Sequence, residues 1–370
     1  MSLRVLLVTS EFPPDIGGVG SHVLELARGL TTAIDKVVVV HPQGPGFGPI
    51  PSQREDFPVE RPRLFKGEPF YQFLLHRWLV RRLAREPFDL VHVHGMRPLG
   101  ATRDLPASVI FTNHTSGFLD RVQASPWRRM RTAGLLKHLA FVIAPSDELI
   151  EASRALGYRG PAAMIPNGVD PARFSPGASH IRSRLGIGED EIVVLLARRL
   201  AEKNGIVWFA RALGSLRSRN VRVLVAGDGE ERAPMQIILA ENGMLERTIF
   251  LGSVANQDMP PIYRAADISV LPSLAEATSI SGLEAMATGL PLVGTRVGGI
   301  PTIIEDEATG LLVPPRDPET MAVALDRLVL DADMRRRMGA AARAKVEREF
   351  AWPAIVRRTV DVYRSCAEAA

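Results

Sequence analysis

The chain has 370 residues, 46% of them hydrophobic and 23% charged, which indicates a globular protein with more than one domain. Its single cysteine, Cys366, excludes an internal disulfide and a cysteine-based metal cluster, and no run approaches the roughly 18 apolar residues of a membrane span. The net charge of +4 is unevenly spread, because residues 61–140 hold 14 Lys and Arg against 5 Asp and Glu. We therefore expect a cytoplasmic protein whose first half meets any anionic partner.

Short apolar runs rich in Val, Ile and Leu alternate with helical patterns along the whole chain. The first half has predicted strands at residues 4–9, 36–41, 90–94, 109–112, 141–144 and 163–166, and the second half at 192–197, 221–226, 248–251, 268–271, 291–294 and 310–313. Near-continuous hydrophobic strands joined by helices predict parallel sheets that helices cover on both faces.

This alternation predicts an α/β protein with two doubly wound, Rossmann-like domains that face a cleft. The first domain is predicted at residues 1–172 and the second at 173–351, with a hinge in the Gly- and Pro-rich segment 167–177. The last helical pattern, residues 352–370, is expected to pack back on the first domain. In such sheets ligands bind beyond the carboxyl ends of the strands, so the loops there should hold the functional residues.

A glycine-rich turn, Gly17-Gly18-Val19-Gly20, follows the first strand and opens a helical pattern. It superficially resembles a dinucleotide-binding fingerprint, but it lacks the G-x-G-x-x-G spacing. The second strand also ends at His41, where that motif has an acidic residue. We therefore expect no NAD site, and we expect Gly18 to let the backbone approach a different ligand closely.

Two cations follow the first strand of the second domain. Arg199 and Lys203 are four residues apart, so they would share one face of a helix that began there. An arginine and a lysine so placed can bind a diphosphate. The alternative is an exposed basic turn without a ligand.

Two carboxylates, Glu276 and Glu284, lie eight positions apart beyond the apolar run at 268–272. Carboxylates repel phosphates, but they accept hydrogen bonds from hydroxyl groups such as those of a ribose or a sugar. Because helix N-termini offer N–H groups to phosphates, the combination predicts a site for a sugar nucleotide. The alternative is a helix cap, in which Ser281 and Glu284 form a capping box and Gly289 ends the helix.

Several pieces of sequence occur in one order along nearly the whole chain. They are Gly17-Gly18-Val19-Gly20, Asn113-His114, Pro166-Asn-Gly-Val-Asp170, Arg199 with Lys203, Ala226-Gly-Asp-Gly229, Tyr263-Arg-Ala-Ala-Asp267, and Glu276 with Glu284. Together they resemble the retaining glycosyltransferases of family four, which have the two-domain GT-B fold. The resemblance implies that a nucleotide sugar binds mainly to the second domain and the acceptor to the first. It also implies that a hexose is transferred without a metal ion or another cofactor.

The same resemblance assigns roles to individual residues. Arg199 and Lys203 would stabilise the leaving diphosphate, and Glu284 would accept hydrogen bonds from the ribose hydroxyls. Glu276 would bind hydroxyls of the transferred sugar, and His114 would reach that sugar from the first domain. The donor contacts that the resemblance implies are Gly18, Arg199, Lys203, Gly252, Val254, Glu276, Thr278, Ser279, Ile280, Ser281 and Glu284. His22 and His94 are candidates for contacts with the acceptor.

The sequence departs from the family pattern in two places. Family members often have Gly-Phe-Gly after the first glutamate, whereas this chain has Ala277-Thr278-Ser279, so the donor sugar is not identified. The usual Gly-Arg-Leu is Arg198-Arg199-Leu200 here, which leaves Arg198 without an assigned role. His92 and His94 alternate on one strand face, as metal ligands can, but no third ligand is evident and we expect no metal.

Two basic clusters in the first half contain aromatic residues. Arg77, Arg81 and Arg85 share one helical face beside Trp78, and Trp127 begins the second cluster, residues 127–131. Such clusters can hold a protein on an anionic membrane, which would suit a lipid-linked acceptor. The alternative is a pair of ordinary amphipathic helices with their arginines in water.

The acceptor and the exact activity stay open at this level. A glycan, a lipid-linked sugar and a small molecule are all compatible with the pattern, no nucleic-acid partner is expected, and the oligomeric state is not indicated. An isomerase similar to the UDP-sugar 2-epimerases, which share the GT-B fold, is one alternative function. A catalytically silent protein that binds sugar nucleotides is the other.

Overall fold

The structure of the protein is a computed structural model, which describes residues 3–13, 18–44, 55–65, 67–114, 116–218 and 220–369. The chain divides into two compact units: unit 1 contains Met1–Asn167 and Trp352–Ala370, and unit 2 contains Gly168–Ala351. The change between units thus falls within the Gly- and Pro-rich segment, slightly before residue 172. Gly17 of the glycine-rich turn lies outside the described residues.

The described part of unit 1 is built on one parallel sheet of seven strands. They are β1 (Arg4–Thr9), β2 (Lys36–Val40), β3 (Val59–Glu60), β4 (Leu90–His94), β5 (Ser108–Thr112), β6 (Phe141–Ala144) and β7 (Ala162–Met164). Their order across the sheet is β3-β2-β1-β4-β5-β6-β7, and neighbouring strands are parallel. The order reverses direction between β1 and β4, which is the switch point where doubly wound sheets bind ligands.

Helices connect these strands and cover the sheet. They are α1 (Gly18–Leu30), α2 (Phe70–Arg85), α3 (Met96–Leu99), α4 (Pro126–Leu136) and α5 (Asp147–Ala155), with 3₁₀ turns at Gly100–Thr102 and Ser116–Arg121. The helix α1 packs on the sheet because its apolar residues repeat at helical spacing: Val23, Leu26 and Leu30 are buried in one cluster with Val5 and Leu7 of β1.

Unit 2 has a second parallel sheet, with six strands among its described residues. They are β8 (Ile192–Ala197), β9 (Val221–Ala226), β10 (Thr248–Gly252), β11 (Ile268–Leu271), β12 (Leu292–Thr295) and β13 (Gly310–Val313), in the order β10-β9-β8-β11-β12-β13. Along β8, Val193 and Leu195 belong to one buried cluster, whereas Val194 and Leu196 belong to another. Alternate side chains point to opposite faces of a strand, so the continuous apolar run follows from burial of both faces.

The helices of unit 2 are α6 (Ile181–Arg184), α7 (Ile206–Gly214), α8 (Arg232–Glu241), α9 (Pro260–Ala265), α10 (Ile280–Ala287), α11 (Ile300–Ile303), α12 (Pro318–Leu330) and α13 (Ala332–Lys345). Short 3₁₀ turns occur at Glu202–Asn204, Leu245–Arg247 and Asn256–Asp258, and a π turn at Val346–Phe350. The chain then returns to unit 1 as α14 (Trp352–Glu368), whose Ile355 and Tyr363 join the buried cluster around α1. None of the described helices has the length and apolar content that crossing a bilayer requires.

Candidate active site

The loops after β8 and β11 meet at the carboxyl edge of the unit 2 sheet. Gly205 permits this approach, because its backbone is left-handed at φ +68° and a Cβ atom there would lie 1.8 Å from the carbonyl oxygen of Pro272. The carbonyl oxygen of Lys203 accepts hydrogen bonds from the N–H groups of Leu274 and Ala275 at 2.8 and 3.2 Å. Backbone contacts therefore contribute to holding the two loops together.

Arg198 forms an ion pair with Glu276 across these loops. Its Nη2 atom lies 2.5 Å from Oε2 of Glu276, and the two side chains are only 8% and 19% exposed. The guanidinium also donates to Ser273 Oγ at 2.6 Å and to Asn204 Oδ1 at 2.8 Å. Arg198, for which the sequence indicated no role, is thus the group that positions Glu276. Its position directly after a buried strand is the feature of the sequence that could have predicted a role in the site.

Arg199 and Lys203 line one cavity of about 460 Å³, together with Arg198, Asn204 and Glu276. The prediction that they share a helical face is wrong, because the chain leaves β8 in an extended loop and only residues 202–204 form a 3₁₀ turn. The cavity brings the two cations together instead. Arg199 Nη2 lies 3.3 Å from Oε2 of Glu230, and both of these side chains are mostly exposed.

The helix α10 begins directly after this cavity. Its N-cap is Ser279, whose hydroxyl accepts a hydrogen bond from the N–H group of Gly282 at 3.1 Å. The capping box that we considered for Ser281 and Glu284 is therefore wrong, because the helix begins two residues earlier than that box requires. Thr278 and Ser279 are buried, whereas Ile280 and Ser281 are partly exposed in the first turn. The expected helix end is correct: α10 stops at Ala287 and Gly289 follows with φ +85°.

Glu284 lies buried inside unit 2, on α10. Its carboxylate accepts hydrogen bonds from Tyr263 Oη at 2.8 Å and from Asn256 Nδ2 at 2.8 Å. Burial raises the pKa of the Glu284 carboxyl above its usual range, and the two hydrogen bonds oppose this rise. The bond to Asn256 links Glu284 to the loop after β10. Gly252, the last residue of β10, has φ +69°, and Val254 in the loop packs against the core. Neither Asn256 nor Tyr263 was predicted to take part in the site.

A cluster of histidines lies in unit 1. Nδ1 of His94, at the end of β4, is 3.0 Å from Nε2 of His114, which follows β5. The ring centroid of His22, on α1, is 4.5 Å from that of His114, and Nδ1 of His22 is 3.1 Å from Oδ1 of Asn167. Burial lowers the pKa of His22 to about 4, and burial together with the neighbouring histidines holds the pKa of His94 and His114 well below the usual range. All three rings are neutral at pH 7.

His92 has a structural part in this cluster. Its Nδ1 atom lies 2.6 Å from Tyr363 Oη of α14, and its Nε2 atom lies 2.6 Å from Thr112 Oγ1. Both ring nitrogens therefore have partners, so His92 is not a free metal ligand. The sequence offered no third ligand beside His92 and His94. The structure instead brings His22 and His114 to His94, with one ring nitrogen of each of the three within 4.8 Å of the others.

The predicted acceptor and donor contacts of unit 1 differ in exposure. His22 is 7% exposed and His94 is fully buried, so neither offers a ring face to solvent in this structure. Gly18 is exposed at the first position of α1.

The sequence also contains one Asp-x-Asp, Asp331 to Asp333, which is a metal-binding motif in other proteins. Here the Asp331 carboxylate caps α13 by accepting from the Met334 N–H group at 2.8 Å.

Two family descriptions match the chain. Glycosyltransferase Family 4 matches residues 16–173, and Glycosyl transferases group 1 matches residues 191–331. Each match covers most of the sheet of one unit, so the two together account for both halves of the molecule.

Individual proteins agree with this assignment. An uncharacterised glycosyltransferase of Methanocaldococcus jannaschii is 32% identical over 211 residues, which are 55% of this chain and 54% of that relative. A D-inositol 3-phosphate glycosyltransferase of Saccharomonospora viridis is 32% identical over 350 residues, which cover 87% of this chain and 77% of the relative. The solved structure of sucrose-phosphate synthase from Thermosynechococcus elongatus matches with a TM-score of 0.82 and 25% identity over 100% of both chains. This chain therefore belongs to family four of the glycosyltransferases and has their GT-B fold.

Proposed function

We propose that the protein moves a hexose from a nucleotide-diphosphate sugar to an acceptor hydroxyl, with retention of the anomeric configuration and without a metal ion. The observation that carries this proposal is the Arg198–Glu276 pair beside Arg199 and Lys203 in one cavity. Cations suited to a diphosphate lie there next to a carboxylate suited to sugar hydroxyls.

Arg199 and Lys203 are the groups that stabilise the leaving diphosphate. Negative charge grows on the diphosphate as its bond to the sugar breaks, and fixed cations lower the energy of that state as a metal ion would. The contact between Arg199 and Glu230 is 3.3 Å long and lies in solvent, so a diphosphate can displace Glu230. Two such cations remove the need for a metal ion at the phosphates.

Glu276 binds hydroxyls of the transferred sugar. Arg198 holds one of its carboxylate oxygens, which fixes the orientation of the whole carboxylate before any ligand arrives. A fixed acceptor loses little side-chain entropy when it binds a hydroxyl, and its position is the same in the ground and transition states. Donor contacts from Thr278, Ser279, Ile280 and Ser281 follow from their place at the start of α10, where N–H groups point out of the helix.

Glu284 accepts hydrogen bonds from the ribose hydroxyls, which replace Asn256 as a donor. Tyr263 and Asn256 now donate to its two oxygens, and a ribose diol can take over the bond from Asn256, which lies in the loop after β10. Gly252 at the end of β10 and Val254 in that loop are the residues that we propose to bind the base through backbone groups. Glu284 therefore contributes to binding of the nucleotide and does not contact the transferred sugar.

His114 contacts the transferred sugar as a neutral hydrogen-bonding group. Its lowered pKa excludes a permanent positive charge at pH 7, so it can accept or donate one hydrogen bond without repelling a cationic transition state. The bond to His94 fixes the orientation of the ring.

The acceptor is proposed to carry a phosphate group. A cavity of about 700 Å³ in unit 1 has four arginines in its lining, which outnumber its two carboxylates, Glu68 and Asp120. The arginines are Arg97, Arg121, Arg128 and Arg131. The guanidinium group of an arginine can donate two parallel hydrogen bonds to one phosphate. The name of the Saccharomonospora viridis relative, which specifies an inositol phosphate, supports an acceptor of this kind.

We infer further that unit 1 contacts anionic membranes from the cytoplasmic side. Phe70 and Phe73 of α2 are 62% and 56% exposed, and Trp127 and Met130 of α4 are 63% and 68% exposed. We call these four side chains the aromatic face. The arginines at positions 128, 129 and 131 are exposed beside it, so apolar insertion and attraction to anionic lipid act together.

The decisive experiment is incubation of the full chain with UDP-, GDP- and ADP-hexoses, each alone and with phosphorylated polyols or lipids, in excess EDTA. Formation of a glycoside with the donor's anomeric configuration, read by nuclear magnetic resonance, is expected for one donor. An epimer of the donor sugar would instead identify an isomerase. Nucleotide binding without turnover of any donor would leave a silent binding protein.

A further inference from the structure

Three histidines of unit 1 converge from three different elements: His22 from α1, His94 from the end of β4, and His114 from the segment after β5. One ring nitrogen of each lies within 4.8 Å of one on each of the others. We propose that these three imidazoles bind one divalent transition-metal ion, such as Zn²⁺, and that metal bound there inhibits glycosyl transfer. The inhibition rests on the proposed function, whereas the binding does not.

The closest pair already has nearly the separation that a metal requires. Nδ1 of His94 and Nε2 of His114 are 3.0 Å apart. Two nitrogens bound to a tetrahedral Zn²⁺ at about 2.0–2.1 Å are roughly 3.3 Å apart, so a small movement of either ring suffices. Without metal, one of these two nitrogens carries the proton of their hydrogen bond. When both nitrogens bind the metal, that proton moves to the other nitrogen of the same ring, so each ring stays a neutral ligand.

His22 supplies the third nitrogen from an oriented ring. Its Nδ1 atom is 3.1 Å from Oδ1 of Asn167, which leaves Nε2 as the nitrogen for the metal. A hydrogen bond from the second ring nitrogen to a fixed oxygen is the arrangement that orients metal-bound histidines in proteins. The rings of His22 and His114 meet edge to face, with centroids 4.5 Å apart, and one nitrogen of each of the three rings lies within 4.8 Å of the others, so metal binding requires the rings to move closer together.

The chemistry of the cluster selects transition metals. Desolvation lowers the pKa of all three rings, of which His22 and His94 are buried and His114 is partly exposed, so their lone pairs are available at pH 7. The ligand group contains no carboxylate, and neutral imidazoles suit Zn²⁺, Co²⁺ and Ni²⁺ rather than Mg²⁺ or Ca²⁺. A cavity of about 10 Å³ borders His22 and His114, which is about the room that one water needs as a fourth ligand.

The two nitrogens of His94 differ in their surroundings. Its Nδ1 atom, 3.0 Å from Nε2 of His114, is the one placed to bind the ion, whereas its Nε2 atom is buried without a hydrogen-bond partner in the described part of the chain. The three-histidine, open-position pattern is also the one that zinc uses in sites where it keeps a water.

Metal at this site removes His114 from the substrate. The Nε2 atom of His114 becomes a metal ligand in place of its bond to His94, so the ring leaves the orientation in which we propose that its Nδ1 atom contacts the sugar. Glycosyl transfer should therefore fall as Zn²⁺ occupies the site and should return when EDTA removes it. Nucleoside diphosphate binding in unit 2 should not change.

The test is a titration of the metal-free full chain with Co²⁺, read by the visible absorption bands of tetrahedral cobalt, followed by competition with Zn²⁺. We expect one Co²⁺ per chain. His94→Gln and His22→Gln should each lower the affinity by more than the roughly tenfold that loss of a group orienting a ligand causes, because each variant removes a ligand itself. Circular dichroism verifies folding. The control is His180→Ala, an exposed histidine of unit 2, which should bind Co²⁺ as the unmodified chain does.

Each outcome decides one part of the proposal. Absence of stoichiometric cobalt binding, or an equal loss in His180→Ala, would overturn the metal site. Cobalt binding with transfer that Zn²⁺ leaves unchanged would overturn the inhibition alone. If the chain binds cobalt but transfers no sugar, the metal site is supported and the proposed function is wrong.

Discussion

Arg198 and Glu276 form an ion pair in which Nη2 and Oε2 are 2.5 Å apart, and this pair joins the loops that follow β8 and β11. The guanidinium reaches Ser273 and Asn204 as well, so one side chain orders residues from both loops. A charge so little exposed would be costly alone, and each ion is stable there because the other is present. The geometry of the proposed sugar site therefore depends on a residue that need not touch the sugar.

Loss of Arg198 should destabilise unit 2. Arg198→Met keeps an unbranched apolar stem but leaves the Glu276 carboxylate without its cation, and we expect a loss of about 3 kcal/mol in the free energy of unfolding, measured by chemical denaturation. Arg198→Met with Glu276→Leu should recover most of this loss, because neither charge is then left unpaired. Strictly additive losses would show that the two residues do not act as a pair.

The diphosphate site should lose affinity when Lys203 is removed and gain affinity when the charge of Glu230 is removed. Lys203→Ala should weaken binding of the cognate nucleoside diphosphate by about 1.5–3 kcal/mol, the scale of a hydrogen bond to a charged group, as measured by calorimetry. Glu230→Gln is the matched control, since it removes the competitor that now contacts Arg199, and affinity should rise. Unchanged affinity in both Lys203→Ala and Arg199→Ala would remove these cations from the site.

The two carboxylates should separate sugar from nucleotide. Glu276→Gln should lower the rate of transfer more than it lowers affinity for the bare nucleoside diphosphate, because its proposed partner is the sugar. Glu284→Gln should weaken the nucleoside diphosphate itself, through the ribose. An equal loss of nucleotide affinity in both variants, with folding intact, would show that the division of roles is wrong.

The raised pKa of Glu284 predicts a pH dependence of stability. The folded protein keeps the Glu284 proton to a higher pH than the unfolded chain, where the carboxyl titrates near 4.5, so the folded state binds more protons above that pH. Stability should therefore fall as pH rises from 4.5 through the raised pKa, and Glu284→Gln should make this part of the profile flatter. Glu241→Gln, at an exposed position of α8, should leave the slope as it is; an unchanged slope in Glu284→Gln would contradict the assignment.

The strands were predictable because both faces of each sheet are buried. That burial demands uninterrupted apolar runs, and the runs at 90–94, 192–197 and 268–271 coincide with β4, β8 and β11 to the residue. The edge strand β3 was missed because it has only two residues, Val59 and Glu60, and neither is buried. A strand so short leaves no apolar run to recognise.

The site was predictable in its parts but not in its contacts. Serines at 279 and 281 are equally good caps by residue type, and only the structure shows that Ser279 takes the role. His22 meets His94 and His114 because β1 and β4 are neighbours at the switch point of the sheet, a relationship that depends on strand order rather than on spacing in the chain. Arg198 was left without a role because its partner, Glu276, lies on a loop from another strand.

The aromatic face predicts salt-sensitive binding to anionic vesicles. Phe70, Phe73, Trp127 and Met130 are exposed in unit 1 beside arginines, and each cation near an anionic surface contributes about 1 kcal/mol at low salt. Arg128→Gln with Arg131→Gln should therefore lower binding about thirtyfold. Co-sedimentation with vesicles of phosphatidylglycerol and phosphatidylcholine, at low and high salt, measures both effects.

Matched substitutions of exposed apolar residues distinguish membrane insertion from nonspecific hydrophobic adsorption to vesicles. Trp127→Ser with Met130→Ser should reduce sedimentation at every salt concentration, because the rings and thioether that enter the lipid interface are gone. Ile237→Ser with Leu330→Ser is the control, since these unit 2 residues are 60% and 66% exposed and lie outside the aromatic face. If the control pair lowers sedimentation as much, or if the unmodified chain stays in the supernatant at low salt, the membrane proposal fails. A dissolved phosphorylated acceptor would then be the one to seek, because the arginine-lined cavity does not depend on lipid.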